Sequence, residues 1–287
     1  MPNKEINSLV YVSTSAVNSN YPIECIEQCA KITNNIELSG GCNYDEGLLD
    51  KLIEIKRRLR LRFLLHGYFP PPLKHFIMNF AENSDRTRAF IKVAATCIEM
   101  LDIPYYSVHA GFQKSYSLNK EVLVDSGNSS AVFTIKDVEK SVSYYKINYP
   151  DIRLALENLY PNPDRHCCFM LHVEEIMEML NRFPGIYLLL DLGHLKISSR
   201  LTGFNYVEAV ELLFEKYAHR ILELHLSEND GLTDKHWPIY SDSVQYMIVK
   251  NYTALILKRR INVIIETRNS DFKDVKACYL LINELLS

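Results

Sequence analysis

Residues 186–194 read Ile186-Tyr187-Leu188-Leu189-Leu190-Asp191-Leu192-Gly193-His194. Apolar side chains run almost unbroken and then give way to an acid and an imidazole. A strand buried on both faces has this composition, because helices cover a parallel sheet above and below. Working outward, seven further short stretches are strand candidates: Leu9–Ser13, Asn35–Leu38, Arg62–His66, Tyr105–His109, Arg153–Glu157, Ile221–His225 and Asn262–Glu266. Longer segments with helical spacing separate them. These are Ile23–Thr33, Asp45–Arg60, Asp85–Leu101, Lys136–Tyr149, Val173–Arg182, Tyr206–Arg220, Ser243–Arg260 and Phe272–Leu286. Asp85 stands at a helix start, where a carboxylate can accept free backbone N–H groups. Pro184-Gly185 ends the helix that precedes Ile186.

Eight strand–helix units fill the 287 residues at about 36 each. Strict alternation argues for an α/β protein with a parallel sheet. Eight units close naturally into a single (β/α)8 TIM barrel, here one domain over residues 1–287. The rival open, doubly wound sheet lacks support, since no Gly-x-Gly-x-x-Gly follows any strand. Residues 113–130 are polar, follow the fourth strand, and read as a loop insertion over one end of the barrel, a candidate lid.

Composition narrows the function classes. The 32 Lys and Arg against 35 Asp and Glu leave a net charge of −3, too balanced for indiscriminate nucleic-acid binding, though a local basic groove remains compatible with it. No run of 18 apolar residues occurs, so no membrane contact is expected. The polar stretch Met1–Asn7 carries no signal-peptide core. Seven cysteines, an odd number without a secretory signal, suggest free thiols and a cytoplasmic protein. Cys25 and Cys29 lie four apart but lack two further ligands for a zinc site.

The polar residues at the strand ends carry the chemistry. The third strand ends in His66, the fourth in His109, the fifth in Glu157, the sixth in Asp191 with His194 close behind, the seventh in His225 and the eighth in Glu266. In a barrel these C-terminal edges converge on one mouth, where active sites of this fold sit. Carboxylates gathered there would be costly without compensation. Divalent metal ions offset that cost and suit imidazole ligands. Asp234-Lys235-His236 adds another acid–imidazole pair after the seventh strand. His75, His166, His172 and His219 sit away from strand ends and receive no role, and Glu228 and Asp230 read as solvated or hydrogen-bonded.

At these residues the sequence resembles the xylose isomerase-like TIM-barrel superfamily, which includes sugar-phosphate isomerases and epimerases and the endonuclease IV type of apurinic DNA repair enzyme. The resemblance spans essentially the whole chain. It is carried by His66-Gly67, Val108-His109-Ala110-Gly111-Phe112, Glu157-Asn158, Asp191-Leu192-Gly193-His194, His225-Leu226-Ser227, Asp234-Lys235-His236 and Ile264-Ile265-Glu266, and by Met78-Asn79-Phe80-Ala81 after the third strand. In the endonuclease branch the resemblance implies three zinc ions. His66, His109 and Glu157 would serve one, and Asp191, His194, His225, Asp234, His236 and Glu266 would complete the cluster. In the isomerase branch it implies a single Mn, Mg, Co or Zn ion on Glu157, Asp191, His225 and Glu266. Glu157 and Glu266 would then be the catalytic acids, moving a proton next to a sugar carbonyl. One to three divalent ions are thus expected.

Other residues bear on the substrate. Glu37, in Asn35-Ile36-Glu37-Leu38-Ser39-Gly40-Gly41, resembles an acid of the isomerase branch and is a candidate substrate contact. No Arg-bearing DNA probe stands in that loop. Tyr68 and Phe69 follow His66-Gly67 and could cover a sugar face or stack on bases. Trp237 could wall a small pocket, while Arg268 and Lys196 are candidate anion contacts. The family's usual Pro-x-Gly-x-Gly is replaced by Trp237-Pro238-Ile239-Tyr240-Ser241-Asp242. The basic run Lys56-Arg57-Arg58 belongs to a helix and faces away from the mouth. The sequence therefore favours a metal-dependent isomerase or epimerase with a small-molecule carbohydrate substrate. The alternative is an endonuclease IV-like apurinic endonuclease acting on DNA. A homo-oligomer is left open.

Overall fold

The computed structural model describes residues 8–114, 116–119, 122–125, 132–161, 168–268 and 270–287. Its strands are β1 (Val10–Ser13), β2 (Asn35–Leu38), β3 (Arg62–His66), β4 (Tyr105–His109), β5 (Tyr116–Asn119), β6 (Val122–Asp125), β7 (Arg153–Glu157), β8 (Tyr187–Asp191), β9 (Ile221–Leu226) and β10 (Asn262–Ile265). Its helices are α1 (Pro22–Cys29), α2 (Leu48–Leu59), α3 (Asp85–Met100), α4 (Ile135–Asn148), α5 (Val173–Arg182), α6 (Leu192–Thr202), α7 (Tyr206–Tyr217), α8 (Val244–Arg259) and α9 (Phe272–Leu285). Eight strands form a closed barrel in the order β1-β10-β9-β8-β7-β4-β3-β2. Every pair within it is parallel, and β1 closes on β10 with Val10 opposite Val263. The (β/α)8 expectation is met.

Period-two geometry explains how an apolar barrel acquires a polar mouth. Alternate strand residues such as Val12, Leu65, Tyr106, Val108, Leu224 and Ile265 belong to the large core beneath the helices. Tyr11, Leu64, Tyr105 and Ile264 instead form a small separate cluster within the barrel. Two residues further along each of those four strands stand Ser13, His66, Ser107 and Glu266. The inward row thus turns from apolar to polar as it reaches the C-terminal edge.

Two features differ from the sequence reading. Helix α6 follows β8 without a loop, so His194 lies in its first turn rather than on a strand. Asp191 is both the last residue of β8 and the N-cap of α6, its side chain accepting from the His194 backbone N–H at 2.7 Å. Within 113–130, the described residues include an antiparallel hairpin, β5 with β6, inserted between β4 and α4. Residues 115, 120, 121 and 126–130 of that segment, together with His166 and Cys167, lie outside the described residues. The six described cysteines are buried. Among the described residues no helix is long and apolar enough to cross a membrane.

Candidate metal centre

The strand ends bring nine of the expected side chains together. Glu157, fully buried at the end of β7, lies at the hub. Its Oε2 is 3.2 Å from His66 Nε2 and 3.2 Å from His109 Nε2, and its Oε1 is 3.2 Å from His194 Nδ1. Asp191 Oδ2 stands 3.6 Å from His194 Nδ1 and 4.0 Å from His225 Nδ1. His225 Nδ1 is 3.1 Å from Glu266 Oε2. On the far side, Asp234 Oδ2 lies 2.7 Å from His236 Nε2 and 3.6 Å from His194 Nε2. Ligand atoms converge within 4.8 Å of one another in the groups His66–His109–Glu157, Glu157–Asp191–His194 and Asp191–His225–Glu266. A fourth such group, Glu37–His66–His225, lies deeper in the barrel.

The supporting bonds fix which nitrogen faces the cluster. His66 Nδ1 is 3.3 Å from the Ser107 hydroxyl, which donates to the Leu65 carbonyl, leaving Nε2 toward Glu157. His194 Nδ1 is 3.0 Å from the Asn158 carbonyl and His236 Nδ1 is 2.8 Å from the Glu266 carbonyl, so in both rings Nε2 is left for Asp234. Asn158 also holds Asp191, donating to its carbonyl at 3.0 Å and accepting from its N–H at 2.8 Å. Gly193 lets α6 approach this corner. A Cβ there would sit 2.9 Å from the Ser227 carbonyl oxygen and 3.2 Å from Asp191 Oδ1.

These residues fit divalent ions. Glu157 Oε2, Asp191 Oδ2 and Asp234 Oδ1 are buried without a hydrogen-bond partner. Orphaned buried polar atoms of this kind are costly in a protein interior. Here they converge on one another with nitrogens poised as acceptors, the donor set that zinc and related ions take. Burial presses His66 down to about 4 and also lowers His109, so both rings are neutral and ready to ligate at neutral pH. Burial opposes ionisation of Glu157, yet His109, His66 and His194 hold its carboxyl well below the ordinary carboxylate range. Burial, with Glu157 nearby, raises Asp191 to about 6. Burial also opposes charge on His194 and His225, but Asp191 and Asp234 around the first, and Glu37 and Glu266 around the second, raise both well above the usual imidazole value.

The remaining residues singled out from sequence take different places. Tyr68 lines a cavity of about 690 Å³ beside His66, His109 and Arg268. Its ring stacks on Phe90 at 5.0 Å, and its hydroxyl accepts from the Phe76 N–H at 2.8 Å. Arg268, with a side chain 45% exposed, donates to Glu266 Oε1 at 2.6 Å. Glu37 is fully buried, its Oε2 2.9 Å from His225 Nε2. Trp237 is exposed and lines a separate pocket with Lys196, Glu228 and Tyr240. Lys196 itself donates to Glu228 at 2.6 Å. Glu223, which sequence reading did not single out, sits 3.2 Å from His225 Nε2. Its signal was parity, since it precedes His225 by two on one strand.

Histidines and carboxylates thus cluster at the C-terminal mouth of a closed parallel barrel. The family model for the xylose isomerase-like TIM barrel matches residues 25–274, and the chain belongs to that family. Among solved structures, a D-tagatose 3-epimerase-like protein is similar at TM-score 0.67 and 18% identity, covering 96% of both chains. An AP endonuclease, family 2, from Brucella melitensis is similar at TM-score 0.67 and 14% identity, covering 95% of this chain and 98% of that one. An L-ribulose 3-epimerase follows at TM-score 0.62 and 11% identity, covering 96% and 94%. A comparison with curated proteins returns no match. Identities this low speak for the fold alone, and the family's relatives here include both epimerases and endonucleases.

Proposed function

We propose that the chain is a divalent-metal-dependent phosphodiester hydrolase acting on DNA at sugars that have lost their base. One observation carries this reading: outside the four converging groups, Asp234 Oδ2 faces His194 Nε2 at 3.6 Å and His236 Nε2 at 2.7 Å, a third cluster beside those on Glu157 and on Asp191, His225 and Glu266. A one-metal isomerase would use Glu157, Asp191, His225 and Glu266 and leave this cluster, His66 and His109 without a task. Three clusters linked through Glu157 and His194 suit a group with several negative oxygens, as a phosphodiester has. The abasic substrate rests on the resemblance to the endonuclease branch and on the likeness to a protein described as an AP endonuclease.

His66, His109 and Glu157 would hold one ion, Glu157, Asp191, His225 and Glu266 a second, and His194, Asp234 and His236 a third. Bound ions would supply Lewis-acid stabilisation of phosphoryl charge and activation of water. The chain's own residues do the rest. Glu157 spans two clusters with its two oxygens. Asn158 and Ser107 keep Asp191 and His66 aimed. Arg268 lines the mouth with a half-exposed guanidinium suited to a phosphate oxygen. Ser15, whose hydroxyl donates to Glu266 Oε1 at 3.3 Å, steadies that carboxylate from the opposite side.

The isomerase reading keeps one specific observation in its favour. Tyr68 is pinned by Phe90 and Phe76, and Gly40, Gly41 and Cys42 line the same cavity. Among the described residues the cavity is therefore walled at the scale of a sugar, and Tyr68 is not free to act as an aromatic wedge. Metal analysis and two assays separate the readings. Three ions per chain and chelator-sensitive nicking of abasic duplex DNA are expected. One ion per chain, no nicking, and solvent deuterium entering a ketose next to its carbonyl would overturn the hydrolase.

A further inference from the structure

His225 is fully buried, and its two nitrogens face two different environments. Nδ1 looks to the mouth, 3.1 Å from Glu266 Oε2 and 4.0 Å from Asp191 Oδ2. Nε2 looks down the barrel axis, 2.9 Å from Glu37 Oε2 and 3.2 Å from Glu223 Oε1. Both of these glutamates are also fully buried. His66, His194 and His236 are oriented by a hydroxyl or a backbone carbonyl. His225 is oriented by carboxylates. The difference follows from its depth. Barrel carbonyls are committed to the strand ladder, so an inward ring has no spare backbone acceptor beneath it. A side chain from another strand must provide one, and Glu37 crosses from β2 to do so.

We propose that Glu37, with Glu223 beside it, is a positioning residue for the metal held by His225, Asp191 and Glu266. A neutral imidazole carries one N–H. An acceptor at Nε2 places that hydrogen there and leaves the Nδ1 lone pair aimed at the mouth. A carboxylate in this role also makes the ring a stronger donor to the metal. The fourth ligand grouping, Glu37–His66–His225, shares both its histidines with the mouth and is accounted for by this support. The inference rests on the metal-holding reading above and narrows it to one of the ions.

The test uses the full chain, stripped with chelator and reloaded with zinc, with affinities read by competition against a chromogenic chelator. Glu37→Met, which keeps the volume and removes the nearer of the two acceptors at His225 Nε2, is expected to weaken one ion roughly 10-fold and leave the others unchanged, and Glu37→Met with Glu223→Gln roughly 100-fold. Glu37→Gln, which keeps an acceptor oxygen, is expected to recover most of that loss. A second readout does not depend on the Met variant folding. In cobalt-loaded protein, ligand imidazoles with a far N–H give exchangeable, paramagnetically shifted proton resonances, and Glu37→Gln should move one of them alone. Zinc loading of Glu37→Met equal to the parent, or no moved resonance in Glu37→Gln, overturns the role of Glu37. Full metal loading without nicking overturns the hydrolase and leaves Glu37 standing. A parent chain that takes up no metal overturns both.

Discussion

Glu157 reaches two clusters at once, with Oε2 between His66 and His109 and Oε1 against His194. Asp234 serves the third cluster alone, between His194 and His236. Substitution should expose this asymmetry. Glu157→Gln places an amide N–H among ligand atoms and is expected to reduce metal content by more than one ion, whereas Asp234→Asn loses one. Elemental analysis of the purified variants checks both. Acidity adds a second expectation. With His194 and His225 raised well above the usual imidazole value, the metal-free rings are protonated at pH 7 and must release those protons to ligate. Zinc affinity therefore rises with pH through the neutral range, and uptake in weak buffer acidifies the solution. A flat affinity between pH 6 and 8 would contradict this. The strand-end histidines and acids could be read in advance because each closes an apolar run. Glu223 could not be read that way, only by its two-residue spacing from His225, since an acid inside a strand carries no edge signal. Nor could Glu37 be placed beneath His225, because that pairing joins residues 188 apart in the chain.

Among the elements, the loops after β3 and β4 are clipped together by one amide. Asn79 Oδ1 accepts from the N–H groups of Phe112 at 2.9 Å and Ala81 at 3.2 Å, while its Nδ2 donates to the carbonyls of Phe112 and Lys114. Gly111 makes the approach workable. Its φ is +110°, and a Cβ there would meet Asn79 Oδ1 at 2.7 Å. Gly111→Ala is therefore expected to cost roughly 1–3 kcal/mol, read as a lower urea midpoint. Both segments drew attention in the sequence, the first as Met78-Asn79-Phe80-Ala81 and the second as His109-Ala110-Gly111-Phe112, but their partnership did not. Helix α6 went unread for a different reason. Asp191 ends β8 and caps α6 in the same residue, so no turn residue marks the boundary. The β5–β6 hairpin is not legible as strand because the 113–130 sequence is polar and serine-rich.

At the scale of the molecule, the alternation of eight apolar runs with eight amphipathic segments was enough to read the barrel. Closure needs no special motif once each strand finds its neighbour. The choice between two chemistries was not readable in the same way, because it turns on how many ions the mouth gathers, and that depends on distances between strands. Those distances predict a further whole-molecule property. The buried carboxylates Glu157, Asp191 and Glu266 share one small volume, and Glu157 Oε2 and Asp191 Oδ2 there lack hydrogen-bond partners. Zinc at 100 times its dissociation constant should add about 2.7 kcal/mol per independent site. The melting temperature should thus rise by several degrees and fall again with chelator. Identical melting curves with and without zinc would contradict it.

The arrangement of the mouth also sets when it can be assembled. His66 comes from the third strand and Glu266 follows the strand that seals the barrel against β1. A chain still emerging from the ribosome has the early histidines exposed long before the last carboxylate is translated. On the metal-holding reading, correct ion loading must then wait until Glu266 has joined the barrel, and any cation captured earlier sits on a half-built set of ligands from which it has to be exchanged.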